Sequence, residues 1–264
     1  MKFIGGLFFF LVCVINSLSA YNLRQVTNSD GLTSSAVLSL LQDSNGFLWM
    51  GTCDGVNIYD GTKAYSWNGW GQLNLSGYII EEILETHDGV IWVQTNYGLS
   101  KVDKEKRLVV DYPQFKGSYM MVKNELGNLF FFSSSNLLYA FNEKKQEFYR
   151  LPIGTLDRED IVNLYVNEHY LIIFLKNEII YYQMKHSPEG EYTLSTLNTS
   201  EKTEVRYGFG DKNQVYWLDK DYNLFGYSLD KPVKKLICNW KEALDGRGTD
   251  IILYIDDDCK EFLE

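Results

Sequence analysis

One short pattern occurs twice in the chain at a fixed spacing, and it constrains the fold more than any other feature of the sequence. The pattern reads Gly-x-x-Trp-x-x-Thr-x-x-Gly. Its two copies consist of Gly46, Trp49, Thr52 and Gly55, and then Gly89, Trp92, Thr95 and Gly98. Every position recurs 43 residues later. The chain is therefore built from repeated structural units, and their period is the main evidence for the fold.

Weaker copies continue the repeat. The Trp position is taken by Phe130, Ile172 and Tyr216, at successive steps of 38, 42 and 44 residues, and a sixth copy opens at Ile251. Turn signals such as Asp88-Gly89 divide each unit into short strands. In the second unit, the predicted strands are Ile79–Glu85, Val90–Thr95, Leu99–Val102 and Arg107–Tyr112.

A period near 40 residues with four antiparallel strands is typical of one β-propeller blade. We therefore predict an all-β fold, a β-propeller of four-stranded antiparallel blades, with five blades and a partial sixth over residues 250–264. The sixth unit stops inside its second strand, which predicts an incomplete ring. Unpaired sheet edges fray or recruit other chains, so we expect residues 21–30 and 245–264 to be poorly held.

The amino terminus has the pattern of an export signal. Lys2 precedes an apolar run from Phe3 to Ile15, and small residues follow as far as Ala20. This pattern predicts a secretory signal peptide over residues 1–20 and a propeller over 21–264. Because the apolar run is too short to span a bilayer comfortably, we expect the mature chain to be exported and soluble.

The composition argues against several functional classes. Aromatic residues make up 15% of the chain, which favours β-structure. The formal charge is −10 and no basic run exceeds two residues, so we expect no direct contact with nucleic acid. The chain has three histidines and no spacing typical of a metal site or a catalytic motif. We therefore expect no catalytic residue, no metal and no cofactor.

The tryptophans fall into two groups with different predicted roles. Trp49 and Trp92 recur at one position per unit, so we expect them to pack between adjacent blades. Trp67 and Trp70 lie outside the repeat pattern, among glycine and asparagine residues in the loop that enters the second unit. Trp70 is the better ligand candidate of these two, because Trp67 could instead be the packing residue of the outer strand.

The predicted topology brings further residues to the same side as this loop. Loops that enter an inner strand and turns between second and third strands emerge on one face of a propeller. Trp67 and Trp70 would then lie beside Asn96 and Tyr97 and near Asp54. Aromatic faces combined with a few directional polar groups recognise oligosaccharides. These five residues are the predicted ligand-binding residues.

Three segments resemble a known family, the two-component regulator propeller repeat. They are Gly-Leu-Thr-Ser-Ser at 31–35, Asp-Ser-Asn-Gly-Phe-Leu-Trp-Met-Gly-Thr at 43–52, and Gly-Val-Asn-Ile-Tyr-Asp-Gly at 55–61. The resemblance implies the periplasmic sensor region of a hybrid two-component system, truncated here. Such a region would recognise a carbohydrate and regulate polysaccharide-utilisation genes.

The resemblance also implies properties of the full-length relatives. They would be histidine kinases of the inner membrane, assembled as homodimers and reaching the membrane only through C-terminal parts that this chain lacks. Since the chain lacks any kinase domain, we expect it not to be an enzyme. Two alternatives stay open: an exported propeller enzyme, such as a lyase or glycosidase, and an inactive truncated gene product.

Overall fold

The computed structural model describes residues 25–67, 75–197, 201–231 and 233–239. The predicted signal peptide, Trp70 and the predicted partial sixth blade lie outside these ranges. Within them, the regular structure consists of β-strands and two short 3₁₀ turns, Asn28–Asp30 and Pro113–Phe115. The prediction of an all-β fold is confirmed.

The described strands form five antiparallel sheets, each with four strands in chain order, and one sheet has a short fifth strand in addition. The first blade contains β1 (Val37–Gln42), β2 (Leu48–Thr52), β3 (Gly55–Tyr59) and β4 (Ala64–Trp67). The second contains β5 (Ile80–Glu85), β6 (Ile91–Thr95), β7 (Gly98–Asp103) and β8 (Leu108–Tyr112). The third contains β9 (Tyr119–Lys123), β10 (Leu129–Phe132), β11 (Leu138–Asn142) and β12 (Glu147–Arg150).

The last two blades follow the same plan. The fourth contains β13 (Ile161–Val166), β14 (Tyr170–Leu175), β15 (Glu178–His186) and β16 (Tyr192–Thr196). A short additional strand, β17 (Glu201–Lys202), pairs with the start of β15. The fifth contains β18 (Tyr207–Asp211), β19 (Gln214–Leu218), β20 (Asn223–Ser228) and β21 (Lys234–Asn239).

The residues assigned to the Trp position are equivalent in all five blades. Each lies on the second strand, opposite an apolar residue of the inner strand; the pairs are Leu41–Trp49, Leu84–Trp92, Val122–Phe130, Tyr165–Ile172 and Phe209–Tyr216. In the first four blades this residue belongs to an apolar cluster shared with the following blade. Trp49 is 2% exposed and Trp92 is fully buried, which confirms the predicted packing role.

Glycines allow the last two blades to approach closely. A Cβ atom on Gly208 would lie 2.1 Å from the ring of Phe174, and one on Gly210 would lie 2.2 Å from the ring of Tyr165. The inner strand of the fifth blade therefore rests directly on aromatic rings of the fourth. Contacts between inner strands connect the blades in chain order, from β1 through β5, β9 and β13 to β18. Over the described ranges, the result is an open ring with the first and fifth blades at its ends.

The segment before β1 covers the free face of the first blade. Leu32 is buried against Met50 and Ala64, and Val26 packs on the same cluster. Thr33 Oγ1 donates a hydrogen bond to Asn57 Oδ1 at 2.7 Å, which holds the segment to β3. Part of the segment expected to be poorly held thus has a defined packing partner, while residues 21–24 lie outside the described ranges.

Candidate ligand-binding face

One side of the propeller gathers the loops from all five blades. Because neighbouring strands are antiparallel, the linkers that enter β5, β9, β13 and β18 end on the same side as the turns that follow β2, β6, β10, β14 and β19. We call this side the upper face. It contains the predicted residues Asp54, Asn96 and Tyr97.

The threonines and glycines of the repeat build the upper turns of the first two blades. Thr52 Oγ1 donates to the carbonyl oxygen of Gly55 at 2.8 Å and accepts from the backbone N–H of Asp54 at 3.0 Å. In the second blade, Thr95 Oγ1 makes the same two bonds with Gly98 and Tyr97, at 3.2 and 3.1 Å. The threonine closes the turn from below, and the side chains of Asp54 and Tyr97 are exposed above it.

An exposed aromatic pair stands at the junction of these two blades. The rings of Tyr78 and Tyr97 have centroids 6.4 Å apart and planes inclined by 47°. Their exposed fractions are 56% and 42%, which are large values for aromatic side chains. The Nζ atom of Lys116 lies 4.6 Å from the centroid of the Tyr97 ring, a cation–π contact.

Backbone hydrogen bonds fix the positions of these side chains. The N–H of Gly55 donates to the carbonyl of Tyr78 at 2.7 Å, and the N–H of Asn96 donates to the carbonyl of Ile79 at 3.1 Å. The side chain of Asn96 completes the link, since its Oδ1 accepts from the N–H of Ile79 at 3.3 Å. The linker carrying Tyr78 is therefore attached to both upper turns.

The structure separates the predicted residues into three groups. Asp54, Asn96 and Tyr97 come together around the linker that ends at Tyr78. Trp67 lies elsewhere: its ring packs on Trp49 at a centroid distance of 5.8 Å, within the cluster between the first two blades. This is the packing alternative that the sequence left open. Trp70 lies outside the described residues.

Sequence reasoning missed Tyr78 and Lys116. Tyr78 lies in the linker that follows Trp67, two residues before the inner strand β5, so its place in the linker was a usable signal. Lys116 lies in the following linker, and no feature of the sequence connects it with Tyr97.

The contact between Lys116 and Tyr97 has counterparts in the later linkers. Arg158 lies 4.2 Å from the ring centroid of Tyr119, and Arg206 lies 4.7 Å from that of Tyr222. Each cation comes from a linker that enters an inner strand. Burial raises the pKa of Tyr119, although Arg158 opposes that shift. The phenol O–H of Tyr119 donates a hydrogen bond to Asn136 Oδ1 at 2.9 Å. The upper face thus carries rings in contact with cations at three blade junctions.

A cleft opens on the upper face between the fourth and fifth blades. Its volume is about 300 Å³, and its lining residues are Lys176, Asn177, Glu204, Val205, Arg206 and Lys220. Within the described ranges, no group of three or more His, Cys, Asp or Glu side chains is arranged to hold a metal ion. The same ranges contain no helix of the length and apolarity needed to cross a bilayer.

Comparison with known proteins gives one sequence match and many structural ones. Residues 31–54 match the two-component regulator propeller family. A search of curated protein sequences returns no match. Virginiamycin B lyase from Staphylococcus aureus superposes with a TM-score of 0.53 at 10% identity, covering 81% of this chain and 73% of the lyase. These values describe a shared fold and nothing more.

Two further structures have similar scores. The extracellular domain of a hybrid two-component system from B. thetaiotaomicron gives a TM-score of 0.52 at 16% identity over 82% of this chain. The chain spans 37% of the length of that domain. The propeller domain of Cps50 (Swd1) from Myceliophteria thermophila gives 0.53 at 11% identity, covering 75% of this chain and 72% of that domain. Residues 31–54 therefore match the two-component regulator propeller family, and the chain has the β-propeller fold that the extracellular domain of a hybrid two-component system also adopts.

Proposed function

We propose that the chain is the periplasmic ligand-sensing region of a hybrid two-component system and that it recognises an oligosaccharide through its upper face. The match over residues 31–54 and the export signal predicted over residues 1–20 support the sensor assignment. The observation that carries the ligand assignment is the exposed pair of Tyr78 and Tyr97 with Lys116 beside it.

The chemistry of this pair suits a sugar. Sugar rings present flat C–H faces that pack on aromatic rings, and hydroxyl groups that need directional hydrogen-bond partners. The two phenol rings supply apolar area and two O–H groups, the ammonium of Lys116 supplies donors, and Asp54 supplies a carboxylate acceptor. Aromatic side chains exposed this far are costly to keep in water and mark interaction surfaces when they are grouped.

Binding without catalysis fits this group of residues. A glycosidase generally needs two carboxyl groups flanking the scissile bond. The group formed by Asp54, Tyr78, Asn96, Tyr97 and Lys116 contains one carboxylate. In the complete sensor, occupancy of this face would be relayed to a membrane-bound histidine kinase that acts as a homodimer and controls polysaccharide-utilisation genes.

Binding and turnover can be tested together. The protein lacking residues 1–20 is incubated with a panel of plant and host oligosaccharides, and thermal shift, calorimetric affinity and product formation are measured. We expect binding without any change in the sugar. Tyr97→Ala and Tyr78→Ala should each weaken that binding about five- to tenfold, because stacking against one aromatic ring is worth about 1 to 1.4 kcal/mol.

Tyr65→Ala is the matched control. Tyr65 is 52% exposed and has Lys63 5.7 Å from its ring centroid, but it lies on the outer strand β4. Binding should be unchanged in this variant. Product formation would favour an exported enzyme, and a complete lack of binding across the panel would contradict the proposed function.

A further inference from the structure

We propose that the cleft between the fourth and fifth blades binds the negatively charged group of an acidic saccharide. This inference rests on the proposed function and adds the charge class of the ligand to it. The cleft lies on the upper face, at the junction of the linker into β18 with two upper turns. One turn contains Lys176 and Asn177, and the other contains Lys220 and Tyr222.

Backbone hydrogen bonds hold the walls of the cleft in place. The N–H of Val205 donates to the carbonyl of Lys176 at 2.8 Å, and the N–H of Arg206 donates to that of Leu218 at 2.8 Å. A third bond joins the N–H of Thr203 to the carbonyl of Asn177 at 3.2 Å. Val205 is buried in the cluster between the two blades and anchors the linker. A cleft built this way needs little ordering when a ligand binds, which favours affinity.

The lining is cationic although the chain as a whole is acidic. The lining contains three cationic side chains, Lys176, Arg206 and Lys220, and one carboxylate, Glu204, in a chain of net charge −10. Lys220 pairs with Glu204 at 2.9 Å, but both side chains are more than half exposed. Such a surface pair is weak and can open for a ligand. Lys176 and Arg206 form no ion pair with any residue in the described ranges.

Two other acidic residues close to the cleft, Asp219 and Asp221, do not line it. Asp219 begins the turn that carries Lys220, but its Oδ1 accepts from the N–H groups of Asp221 and Asn223 at 2.8 and 2.9 Å. Its Oδ2 accepts from the side-chain amide of Asn223 at 2.9 Å. These bonds keep the carboxylate at the base of the turn. Asp221 lies on the same turn and is not a lining residue.

The cationic groups differ in what they can recognise. Arg206 lies over the ring of Tyr222 and pairs with its hydroxyl, so its guanidinium is restrained. A restrained guanidinium presents a planar pair of donors to a carboxylate or sulfate. Lys176 adds a point charge, and the amide of Asn177 can bond to a hydroxyl. A volume of about 300 Å³ lies at the small end of ligand pockets, which suits one or two sugar rings.

Calorimetry with charged and neutral saccharides tests whether the cleft prefers a negatively charged ligand. The probes are an oligogalacturonate, its neutral methyl ester and a sulfated galactan oligosaccharide. We expect a charged probe to bind at least about tenfold more tightly than the ester, with affinity falling as salt rises from about 20 to about 200 mM. Binding of one charged probe only identifies carboxylate or sulfate as the recognised group, and either result supports the proposal.

Substitutions of the lining residues test whether the charged group binds in the cleft. Lys176→Met and Arg206→Gln should each weaken binding of the charged probe about tenfold. Arg206→Lys should weaken it less, because lysine keeps the charge but not the planar pair of donors. Lys185→Met is the control, because Lys185 is exposed on β15 near the opposite face. Thermal unfolding of every variant checks that it is folded.

Two results separate this inference from the proposed function. Equal binding of the charged probes and the ester, or unchanged binding in a folded Lys176→Met and Arg206→Gln double variant, would overturn the cleft inference alone. If no oligosaccharide binds, neutral or charged, both the inference and the proposed function are wrong.

Discussion

The indole N–H of Trp49 donates a hydrogen bond to the carboxylate of Asp43 at 2.9 Å, whereas the indole N–H of Trp92 has no acceptor within the described part of the chain. The two tryptophans are equivalent in consecutive blades. The carboxylate of Asp43 also accepts from Lys104 Nζ at 2.9 Å, and Lys104 pairs with Glu85 at 2.8 Å. The polar link from Trp49 therefore ties the lower turn of the first blade to the second blade.

This difference predicts unequal costs for the same substitution. Trp49→Phe removes a buried hydrogen bond and leaves Asp43 Oδ2 with Lys104 as its remaining donor, whereas Trp92→Phe removes an N–H that has no acceptor in the described part of the chain. We expect Trp49→Phe to lower the free energy of unfolding by about 1–2 kcal/mol more than Trp92→Phe does. Urea unfolding of both variants measures the difference, and equal costs would contradict it. Trp49→Ala should cost about 3–5 kcal/mol.

Of the two carboxylates in this link, Asp43 should cause the larger loss of stability when it is removed. Burial opposes its charge, but hydrogen bonds from Lys104, Trp49 and Phe47 outweigh burial and hold its pKa below the usual range. Asp43→Ala leaves Lys104 with one partner and should destabilise by about 2–3 kcal/mol near pH 7. Because the folded pKa is lowered, this difference should shrink as the pH falls below about 4.

Asp103→Ala is the control for that experiment. Its partner Lys106 is 77% exposed, so their ion pair at 2.8 Å is screened by solvent. A loss of stability as large as that of Asp43→Ala would show that burial of the pair has no influence.

The contribution of Glu82 to stability should depend on pH in the opposite direction to that of Asp43. Burial raises its pKa to about 7, well above the usual value near 4.5. The Glu82 carboxyl group therefore binds its proton more tightly in the folded state than in the unfolded state. This proton binding stabilises the folded protein fully below about pH 4.5, and the stabilisation is lost as the pH rises through 7. Glu82→Gln should match the parent protein at pH 4.5 and exceed its stability at pH 8.5 by up to about 3 kcal/mol. Glu105→Gln, at an exposed turn position, should change neither value.

Close packing of the fourth and fifth blades predicts a strong effect at Gly208. A methyl group there would overlap the Phe174 ring, which is fully buried and cannot move aside. Gly208→Ala should destabilise by about 2–3 kcal/mol or more. Gly154→Ala is the control, since a Cβ at that position meets no atom within 4 Å. Its effect should be neutral or slightly stabilising, because alanine restricts the unfolded chain.

The sequence predicted the blades well because their chemistry is local. In the second blade, the predicted starts of the first two strands, Ile79 and Val90, differ from the observed starts by one residue each. The turn needs Gly89 at a φ of 76°, and the hydrogen bond from the threonine spans three residues. Both features can therefore be recognised within a short stretch of sequence. The later blades followed from the period alone, because Phe130 and Ile172 keep the apolar packing role after the tryptophan is lost.

The candidate site was predicted only in part because it depends on contacts between blades. Asp54, Asn96 and Tyr97 lie in turns whose place follows from strand order. The contact of Lys116 with Tyr97 depends on the path of a linker, which composition does not determine. Trp67 suited two roles equally in sequence. It lies opposite Val56 on the neighbouring strand, and both residues pack in the cluster with Trp49.

In each upper turn, the residues that close the turn are different from the residues whose side chains are exposed on it. Thr52 and Gly55 close the first turn, and Thr95 and Gly98 close the second, through bonds that require nothing of the side chains between them. Substitutions at Asp54 or Tyr97 should therefore cost little stability, and under the proposed function they should change ligand recognition. A randomised library confined to these intervening positions should therefore yield mostly folded members, and under the proposed function their ligand preference should differ.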